Sequence, residues 1–284
     1  MVLFGKKKYT LIKVKKKDIP LGIWSKCPSC EGPVYVKELK NNFNVCLQCG
    51  YHFSLTAEER IALLIDEGTF QEFDKLMSAL DPLDFKGPKT YRQKLESDQK
   101  ATGLIDAVIT GKGKMNGQET VIAVTDSRFI MGSMGAVVGE KITRGIEYAT
   151  KNELPVVIVS GSGGGARMYE GVFSLMQMAK TCAALARHHE ADLVYISVLT
   201  NPTMAGIMAS FAGVGDVIIA EPKALIGFTG PRVIEQTIRQ KLPEGFQSSE
   251  FLLAHGLIDM IVKRNELKNV IGRVIEYAQN EVAA

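Results

Sequence analysis

The sequence predicts an α/β protein in which a small cysteine-rich unit precedes a body of parallel strands with covered faces. From about residue 103, strand-like apolar runs alternate with segments of helix length, as in a sheet whose parallel strands are joined by helices. Two strand-like runs, 217–220 and 224–228, come before the next helix. The repeating unit is therefore strand-strand-helix, and we expect a spiral of ββα turns instead of a plain doubly wound sheet.

Composition and charge are those of an ordinary globular protein. The chain has 284 residues, of which 46% are hydrophobic and 23% charged, enough for one large domain and one small one. No apolar run reaches the ~18–20 residues that span a bilayer. The N-terminus lacks the apolar core of a secretory signal. We therefore expect a cytoplasmic protein without a membrane span.

The N-terminal region is basic. Residues 1–50 contain ten Lys and no Arg against three acidic residues, although the whole chain carries a net charge of only +3. We predict a basic leader over residues 1–25. It has two interpretations, a solvated tail or an electrostatic contact with nucleic acid or an acidic partner.

Four of the five cysteines form two C-x-x-C pairs, Cys27 with Cys30 and Cys46 with Cys49, separated by fifteen residues. This spacing is typical of a zinc ribbon, in which four thiolates surround one Zn²⁺ tetrahedrally. A pair of structural disulfides is the alternative, which a cytosolic setting disfavours. Because four thiolates leave no open coordination position, we expect the metal to be structural. Between the pairs, paired strands are expected near residues 34–36 and 43–45.

Capping signals and hydrophobic periodicity predict the remaining elements. Thr56-Ala57-Glu58-Glu59 has the spacing of a capping box and opens a short helix that stops near residue 68. Strands at 104–110 and 120–125 flank a glycine-rich segment with an Asn116-Gly117 turn. The other expected elements are helices at 91–101, 136–151, 166–188 and 203–212, and strands at 156–160, 193–199 and 216–220.

The stretch from Val156 to Met168 is the first candidate for a functional site. It is predicted to be a buried strand, a glycine cluster and the start of a helix. Glycines at such a junction leave backbone N–H groups uncovered at the positive end of a helix dipole. A site of this kind binds anionic oxygen, either of a phosphate or of an oxyanion that forms during a reaction. Glycine turns at 131–136 and 227–231 are further candidates.

Several common chemistries are poorly supported at this turn. Gly161-x-Gly163-x-x-Ala166 satisfies a dinucleotide fingerprint, but the next predicted strand ends in Thr200-Asn201-Pro202 instead of an acidic residue. The Gly-Lys-Ser/Thr ending of a phosphate loop and the G-x-S-x-G elbow are both absent from the sequence. What remains is an oxyanion hole without an obvious side-chain acid or base, which suits a thioester whose α-carbon becomes an enolate.

These patterns resemble the β subunit of bacterial acetyl-CoA carboxylase carboxyltransferase over residues 24–262. The resemblance rests on the two C-x-x-C pairs and on segments 132–135, 162–168, 174–180, 195–204, 220–228 and 230–236. It implies a leader over 1–25, a four-cysteine zinc ribbon over 26–54 and a crotonase-like carboxyltransferase domain over 55–284. The expected fold is then a crotonase-like ββα spiral, in agreement with the strand-strand-helix unit.

The resemblance also implies a reaction and partners. The family transfers a carboxyl group from N-carboxybiotin, carried on the biotin carboxyl carrier protein, to acetyl-CoA, and the malonyl-CoA formed supplies fatty-acid synthesis. Its β subunit works with an α subunit in an α₂β₂ heterotetramer and alongside biotin carboxylase. Paired glycine amides polarise the thioester carbonyl and map onto Gly164 and Gly165. This chain has one extra glycine, so Gly163 and Gly164 are the other possible pair.

Two other functions stay open at this point. One is a nucleic-acid-binding zinc-ribbon module on a crotonase-like body. The other is a stand-alone hydratase or isomerase, which needs a carboxylate facing the hole, and Glu170 and Glu140 are the nearest in sequence. The basic residues that are candidates for contacting the phosphates of CoA are Arg128, Lys141, Arg167 and Arg232.

Overall fold

The computed structural model describes residues 22–282. The basic leader predicted for residues 1–25 lies almost entirely outside this range, and the predicted division of the chain at residues 25 and 54 stays a prediction. Within residues 22–282, no helix combines the length and the apolar content needed to cross a bilayer.

The cysteine-rich region folds around two tight connections. Strand β1 (Trp24–Lys26) pairs antiparallel with β2 (Pro33–Tyr35), and the first C-x-x-C pair lies in the connection between them. Helix α1 (Val36–Asn41) follows β2 directly. The second C-x-x-C pair lies between Val45 and His52, which form a single antiparallel bridge. Each pair of cysteines is therefore presented by its own short hairpin.

The prediction that residues 34–36 pair with residues 43–45 is wrong. Val36 begins helix α1, and each hairpin closes on itself instead of on the other. Phe43 and Asn44 have φ angles of 55° and 56°, so their backbone is left-handed and cannot continue a strand. Residues 33–35 and Val45 do pair, but each pairs with residues on the other side of its adjacent cysteine pair.

The body is organised on one large mixed sheet. Its strands are β3 (Gln71–Phe73), β4 (Val108–Met115), β5 (Gln118–Thr125), β6 (Val156–Ser162), β7 (Tyr195–Met204), β8 (Val217–Ala220), β9 (Ile226–Gly227) and β10 (Met260–Ile261). Their order is β10-β8-β7-β6-β5-β4-β3, with β9 paired to the end of β7. Strands β5, β6, β7, β8 and β10 are parallel, and β4 and β3 are antiparallel to their neighbours.

Strand β4 is longer than predicted. The sequence indicated a glycine-rich connection over residues 111–117, but β4 runs through to Met115 and only Asn116-Gly117 forms the turn. A Cβ atom at Gly111 would lie 2.4 Å from the carbonyl oxygen of Gln71, and one at Gly113 would lie 2.6 Å from Ile65 Cγ2. These glycines therefore let neighbouring chain pack closely against the strand.

Helices cover the sheet. They are α2 (Ala57–Leu64), α3 (Tyr91–Thr102), α4 (Ala136–Lys151), α5 (Val172–Glu190), α6 (Ala205–Met208), α7 (Pro231–Ile238), α8 (Ser249–Ala254) and α9 (Leu267–Val282). The predicted capping box is present, since Glu59 N donates to Thr56 Oγ1 and Thr56 N donates to Glu59 Oε2. Helix α4 has the predicted bounds. Helix α5 begins at Val172, six residues later than predicted, and α6 is much shorter than expected.

The core lies around the central parallel strands. Nearly every residue of β5, β6 and β7 is buried, including Ile122, Val157, Ile158 and Ile196. Continuous burial of this kind is typical of parallel strands that are covered on both faces. Because β5, β6 and β7 are parallel neighbours, their carboxyl ends meet at one edge of the sheet, where ligands of open α/β sheets usually bind.

The cysteine-rich region rests on this same edge. Asn201 Nδ2, near the end of β7, donates to Tyr51 Oη at 3.1 Å, and Lys223 Nζ donates to Cys49 O at 3.1 Å. Arg264 Nη1 donates to Phe43 O at 2.8 Å. In each contact a side chain of the body donates to the cysteine-rich region, either to a backbone carbonyl or to the hydroxyl of Tyr51.

Candidate active site

Two glycine turns meet at the carboxyl ends of β5 and β6. The turn at residues 131–135 follows β5, and the loop at residues 163–167 follows β6. Met134 N donates to Gly165 O at 2.9 Å, and Arg167 N donates to Met134 O at 2.8 Å. These two hydrogen bonds form an isolated parallel bridge between Met134 and Ala166, so the two chain segments stay paired beyond the ends of β5 and β6. The bridge also explains why α5 does not begin at residue 166 as predicted, since a residue in a bridge does not have helical backbone; Gly171, with a φ of 52°, then separates a short turn at Met168–Glu170 from α5.

Hydrogen bonds fix the direction of each peptide group in the β6 loop. Gly164 N donates to Met131 O at 2.9 Å, so the N–H of Gly164 is engaged. The carbonyl of Gly164 lies 3.0 Å from Ser162 Oγ. Because C=O and N–H point in opposite directions in a trans peptide, the N–H of Gly165 points away from Ser162. By the same argument, the N–H of Ala166 points away from Met134, because the carbonyl oxygen of Gly165 accepts from Met134 N.

These two N–H groups are free donors on the part of the loop that lines a cavity. Within residues 22–282, the N–H groups of Gly163, Gly165 and Ala166 donate no hydrogen bond, and of these three residues only Gly165 and Ala166 line the cavity. Gly164, Gly165 and Ala166 line a cavity of about 460 Å³, whose other walls come from α3 and from the segment after β5. Residues on those walls include Lys94, Asp98, Ser127, Arg128 and Met131. The loop therefore presents backbone donors beside a space of ligand size.

The start of α6 closes in on the same loop. A Cβ atom at Gly165 would lie 2.9 Å from Ala205 Cβ and 3.3 Å from Gly206 N, and one at Gly206 would lie 3.1 Å from Ala166 N. The chain segments after β6 and β7 are thus in backbone contact, with no room for a side chain between them. Gly206 has no distinguishing signal in the sequence, since its importance depends on the neighbouring strand.

Two of the four basic residues considered for phosphate contacts are buried. Arg167 is 1% exposed and Lys141 is 3% exposed, and Lys141 Nζ donates to Val108 O at 3.1 Å. The interpretation of these two as phosphate contacts is therefore wrong. Arg128 lines the cavity, but its guanidinium is bound to Asp126. Arg232, at the start of α7, is exposed.

Neither carboxylate considered as a catalytic base is available. Glu170 is buried, where it accepts hydrogen bonds from Tyr91 Oη and from Ala136 N. Glu140 is paired with Arg144 of its own helix and with Lys180 of α5. A stand-alone hydratase or isomerase that uses either residue as its base is therefore disfavoured.

The four predicted metal ligands lie together. The Sγ atoms of the four cysteines are all within 4.8 Å of one another, with 3.7 Å between Cys27 and Cys49 and 3.9 Å between Cys30 and Cys46. Zinc–sulfur bonds of about 2.3 Å at tetrahedral angles give sulfur–sulfur distances of about 3.8 Å. None of the four is disulfide-bonded. The donor set therefore fits one tetrahedral Zn²⁺.

Family comparisons define the class of this protein. Residues 53–242 match the family model described as carboxyl transferase domain, and residues 24–49 match the acetyl-CoA carboxylase zinc finger domain. The transcarboxylase 12S hexamer, solved with methylmalonyl-coenzyme A and methylmalonic acid bound, has a similar fold. The TM-score is 0.66 at 23% identity, and the match covers 84% of this chain but only 42% of that one. The crotonase-like fold predicted from the sequence is confirmed.

Closer relatives narrow the family. The chain is 56% identical over 282 residues to the acetyl-coenzyme A carboxylase carboxyl transferase subunit beta of Desulforamulus reducens, with 96% of both chains covered. It is 54% identical over 263 residues to the protein of the same name from Rhodopirellula baltica, covering 93% of this chain and 84% of that one. The chain belongs to the family of acetyl-coenzyme A carboxylase carboxyl transferase β subunits.

Proposed function

We propose that this chain forms the acyl-CoA half of a carboxyltransferase site, in which a carboxyl group passes from N-carboxybiotin on the biotin carboxyl carrier protein to acetyl-CoA. The product is malonyl-CoA for fatty-acid synthesis in the cytoplasm. The observation that carries the proposal is the pair of N–H groups without a hydrogen-bond partner on Gly165 and Ala166, two residues of the loop after β6 that line the cavity.

These donors suit the thioester carbonyl of acetyl-CoA. When the α-proton leaves, negative charge moves onto the thioester oxygen, and each well-placed N–H donor stabilises it by about 3–4 kcal/mol. The donors add no cost of reorganisation because the peptide groups are already oriented by Met131, Met134 and Ser162. Of the glycines predicted from the sequence, Gly165 carries this role. Gly164 shapes the loop, since its N–H is bound to Met131 O, and Gly163 does not line the cavity.

No basic side chain of this chain is needed to remove the proton. Carboxybiotin, bound from the partner side, supplies both CO₂ and, once its C–N bond has broken, the basic nitrogen that accepts the α-proton. The chain's own contribution is to hold the thioester carbonyl and exclude water. The burial of Glu170 and the two ion pairs of Glu140 agree with this division.

The second half of the site is assigned to the α subunit, in an α₂β₂ assembly that works with biotin carboxylase. Exposed apolar side chains beside the cavity support a partner surface there. Met131 is 63% exposed, Met168 69% and Val172 60%, and Leu175 and Met176 continue the patch along α5. A monomer would leave these side chains in water, whereas a packed second chain would cover them.

We assign one structural Zn²⁺ to Cys27, Cys30, Cys46 and Cys49. All four ligands are sulfur, which leaves no position for a substrate. The contacts of Tyr51 and Cys49 with Asn201 and Lys223 suggest that the metal orders a surface that seats on the body. Binding of nucleic acid by the ribbon and the basic leader remains the alternative function.

The test is carboxyl transfer from malonyl-CoA to free biotin, with the chain alone and with its α partner, in wild type, Gly165→Ala and Gly163→Ala. A Cβ atom at Gly165 must displace Ala205 or Gly206, whereas one at Gly163 meets only Pro202 Cγ at 3.4 Å and Met131 Cε at 3.5 Å. We expect activity only with the partner, a loss of at least about 100-fold in Gly165→Ala, and activity close to wild type in Gly163→Ala.

Equal losses in the two variants, in folded protein, would contradict the assignment of the hole to Gly165. Activity of the chain alone would mean that it contains both halves of the site. If neither mixture reacts while the chain binds nucleic acid, the binding-module function takes precedence.

A further inference from the structure

A buried side chain lies directly behind the two glycine turns. The guanidinium of Arg167 is fully buried, and all of its nitrogen atoms donate hydrogen bonds. Nη2 donates to Asp106 Oδ1 at 2.6 Å and to Ser133 O at 3.0 Å. Nη1 donates to Asp106 Oδ2 and to Tyr91 Oη, both at 3.0 Å, and Nε lies 3.3 Å from Ser133 Oγ. The side chain therefore joins a turn at the cavity to two fixed points behind it.

Those fixed points belong to rigid parts of the body. Asp106 lies just before β4, and its Oδ1 also accepts a hydrogen bond from Ala107 N at 2.7 Å. Tyr91 is the first residue of α3, is fully buried, and donates to Glu170. Glu170 in turn accepts from the first N–H of α4, at Ala136. The positive end of that helix favours the buried carboxylate.

Arg167 and Tyr91 keep their protons in this cluster. Burial acts to lower the pKa of Arg167, but the charge and hydrogen bonds of Asp106 raise it above the usual range, so the guanidinium stays protonated. Burial raises the pKa of Tyr91, whose hydroxyl therefore stays a donor to Glu170. Gly135 completes the fit, because a Cβ atom there would lie 2.5 Å from Glu170 Oε1 and 2.7 Å from Arg167 Nη1.

We propose that Arg167 is a positioning residue: it holds the turn at residues 131–134 against the β6 loop and thereby sets the direction of the Gly165 N–H. The link is short. Arg167 donates to Ser133 O, in the turn at residues 131–134. In the same turn, Met131 O accepts from Gly164 N, and Met134 N donates to Gly165 O. If the turn moves, both peptide groups that flank Gly165 N lose their orientation.

The consequence for catalysis rests on the proposed function, whereas the consequence for the loop does not. In Arg167→Lys, one ammonium group cannot reproduce the planar fork that reaches Asp106 and Ser133 together. We expect the ion pair with Asp106 to remain and the hydrogen bonds to Ser133 to be lost. Because the hole acts mainly in the transition state, kcat should fall at least tenfold while KM for malonyl-CoA changes less than threefold.

The chain offers a matched control. Arg264 is equally buried, makes a forked ion pair with Glu221, and donates to a backbone carbonyl at Phe43, but it has no contact with either glycine turn. Arg264→Lys should cost stability similar to Arg167→Lys and leave kcat of the α-partner complex within twofold of wild type. A loss of kcat that merely followed stability would be equal in the two variants and would overturn the proposal.

Hydrogen exchange on the full chain tests whether Arg167 orders the two turns, and it does not require an activity measurement. The amides of Met134, Gly164 and Arg167 are all hydrogen-bonded across the two turns. In Arg167→Lys their exchange should be at least tenfold faster than in Arg264→Lys. Unchanged exchange would overturn the proposal. If wild-type protein lacks transfer activity but these amides respond as expected, the proposed function fails and the positioning role stands.

Discussion

Glu221 is the residue whose replacement should cost most stability away from the candidate active site. Its carboxylate is fully buried between two arginines that are themselves buried, with side chains 4% exposed for Arg60 and 1% for Arg264. Arg264 donates from Nε and Nη2, each at 2.8 Å, and Arg60 donates from Nη1. Replacing Glu221 by Gln keeps the shape and removes the only negative charge of this trio.

The expected loss follows from leaving two guanidinium groups without a counter-charge. Breaking a buried ion pair by removing one partner costs about 3–5 kcal/mol. Typical domains are stable by only about 5–15 kcal/mol, so Glu221→Gln should remove a large fraction of the free energy of unfolding. A midpoint of thermal unfolding lowered by roughly 10 °C corresponds to this loss in a chain of this size.

The loss should also depend on pH in a defined direction. Burial acts to raise the pKa of Glu221, but the charges of Arg60 and Arg264 outweigh it and lower the pKa from 4.5 to about 2. A carboxylate with a lowered pKa in the folded state contributes stability that is complete above its unfolded pKa and is lost as pH falls towards about 2. The difference between wild type and Glu221→Gln should therefore be largest near pH 7 and narrow by about 1 kcal/mol at pH 4.

Urea unfolding of the full chain, followed by circular dichroism at pH 7 and pH 4, measures this difference. Glu147→Gln is the control, because Glu147 pairs with Arg187 on the surface, where both side chains are about half exposed. Exposed pairs contribute about 0–1 kcal/mol. A loss below about 1 kcal/mol in Glu221→Gln, or a difference that does not change with pH, would refute the reasoning.

Two further predictions concern the metal and the second glycine turn. Cys49→Ser should lower the zinc content, measured by mass spectrometry of the purified chain, well below one ion per chain, whereas Cys182→Ser should leave it unchanged; equal zinc in both would contradict the assignment of Cys49. Gly135→Ala should lower the free energy of unfolding by about 1–3 kcal/mol because its Cβ atom overlaps the buried cluster. Gly145→Ala is the control and should not be destabilising, because its Cβ atom would lie 3.6 Å from Val121 Cγ1. Equal losses of the free energy of unfolding in the two variants would argue against close packing at Gly135.

Local sequence signals were sufficient for most of the central body. The strands β5 to β8 and helix α4 were predicted because continuous apolar runs and helix-length segments reflect burial that every member of the sheet shares. The four-cysteine site was predictable because its ligand spacing is set by the two hairpins alone. The strand pairing between those ligands was not, since Phe43 and Asn44 adopt left-handed backbone that no periodicity reports.

The details of the candidate active site depend on contacts between distant parts of the chain. Arg167 was one of four basic residues considered as contacts for the phosphates of CoA, and arginine is rarely buried. Its burial requires Asp106, 61 residues earlier in the chain. Which amide of the glycine loop is uncommitted depends on Met131 and Met134, which reach the loop only because β5 and β6 are neighbours. A one-dimensional pattern contains neither fact.

The seating of the cysteine-rich region on the body has a consequence for cooperativity. Arg264 both bonds to Glu221 and donates to the carbonyl oxygen of Phe43, so the same guanidinium belongs to the interior of the body and to the seam with the ribbon. Separating the ribbon from the body would leave Arg264 Nη1 without the carbonyl oxygen of Phe43 and would admit water to the buried group of Glu221, Arg60 and Arg264. Metal release and unfolding of the body are therefore expected to be linked events, and the ribbon to exchange its protected amides together with the carboxyl edge of the sheet as one foldon.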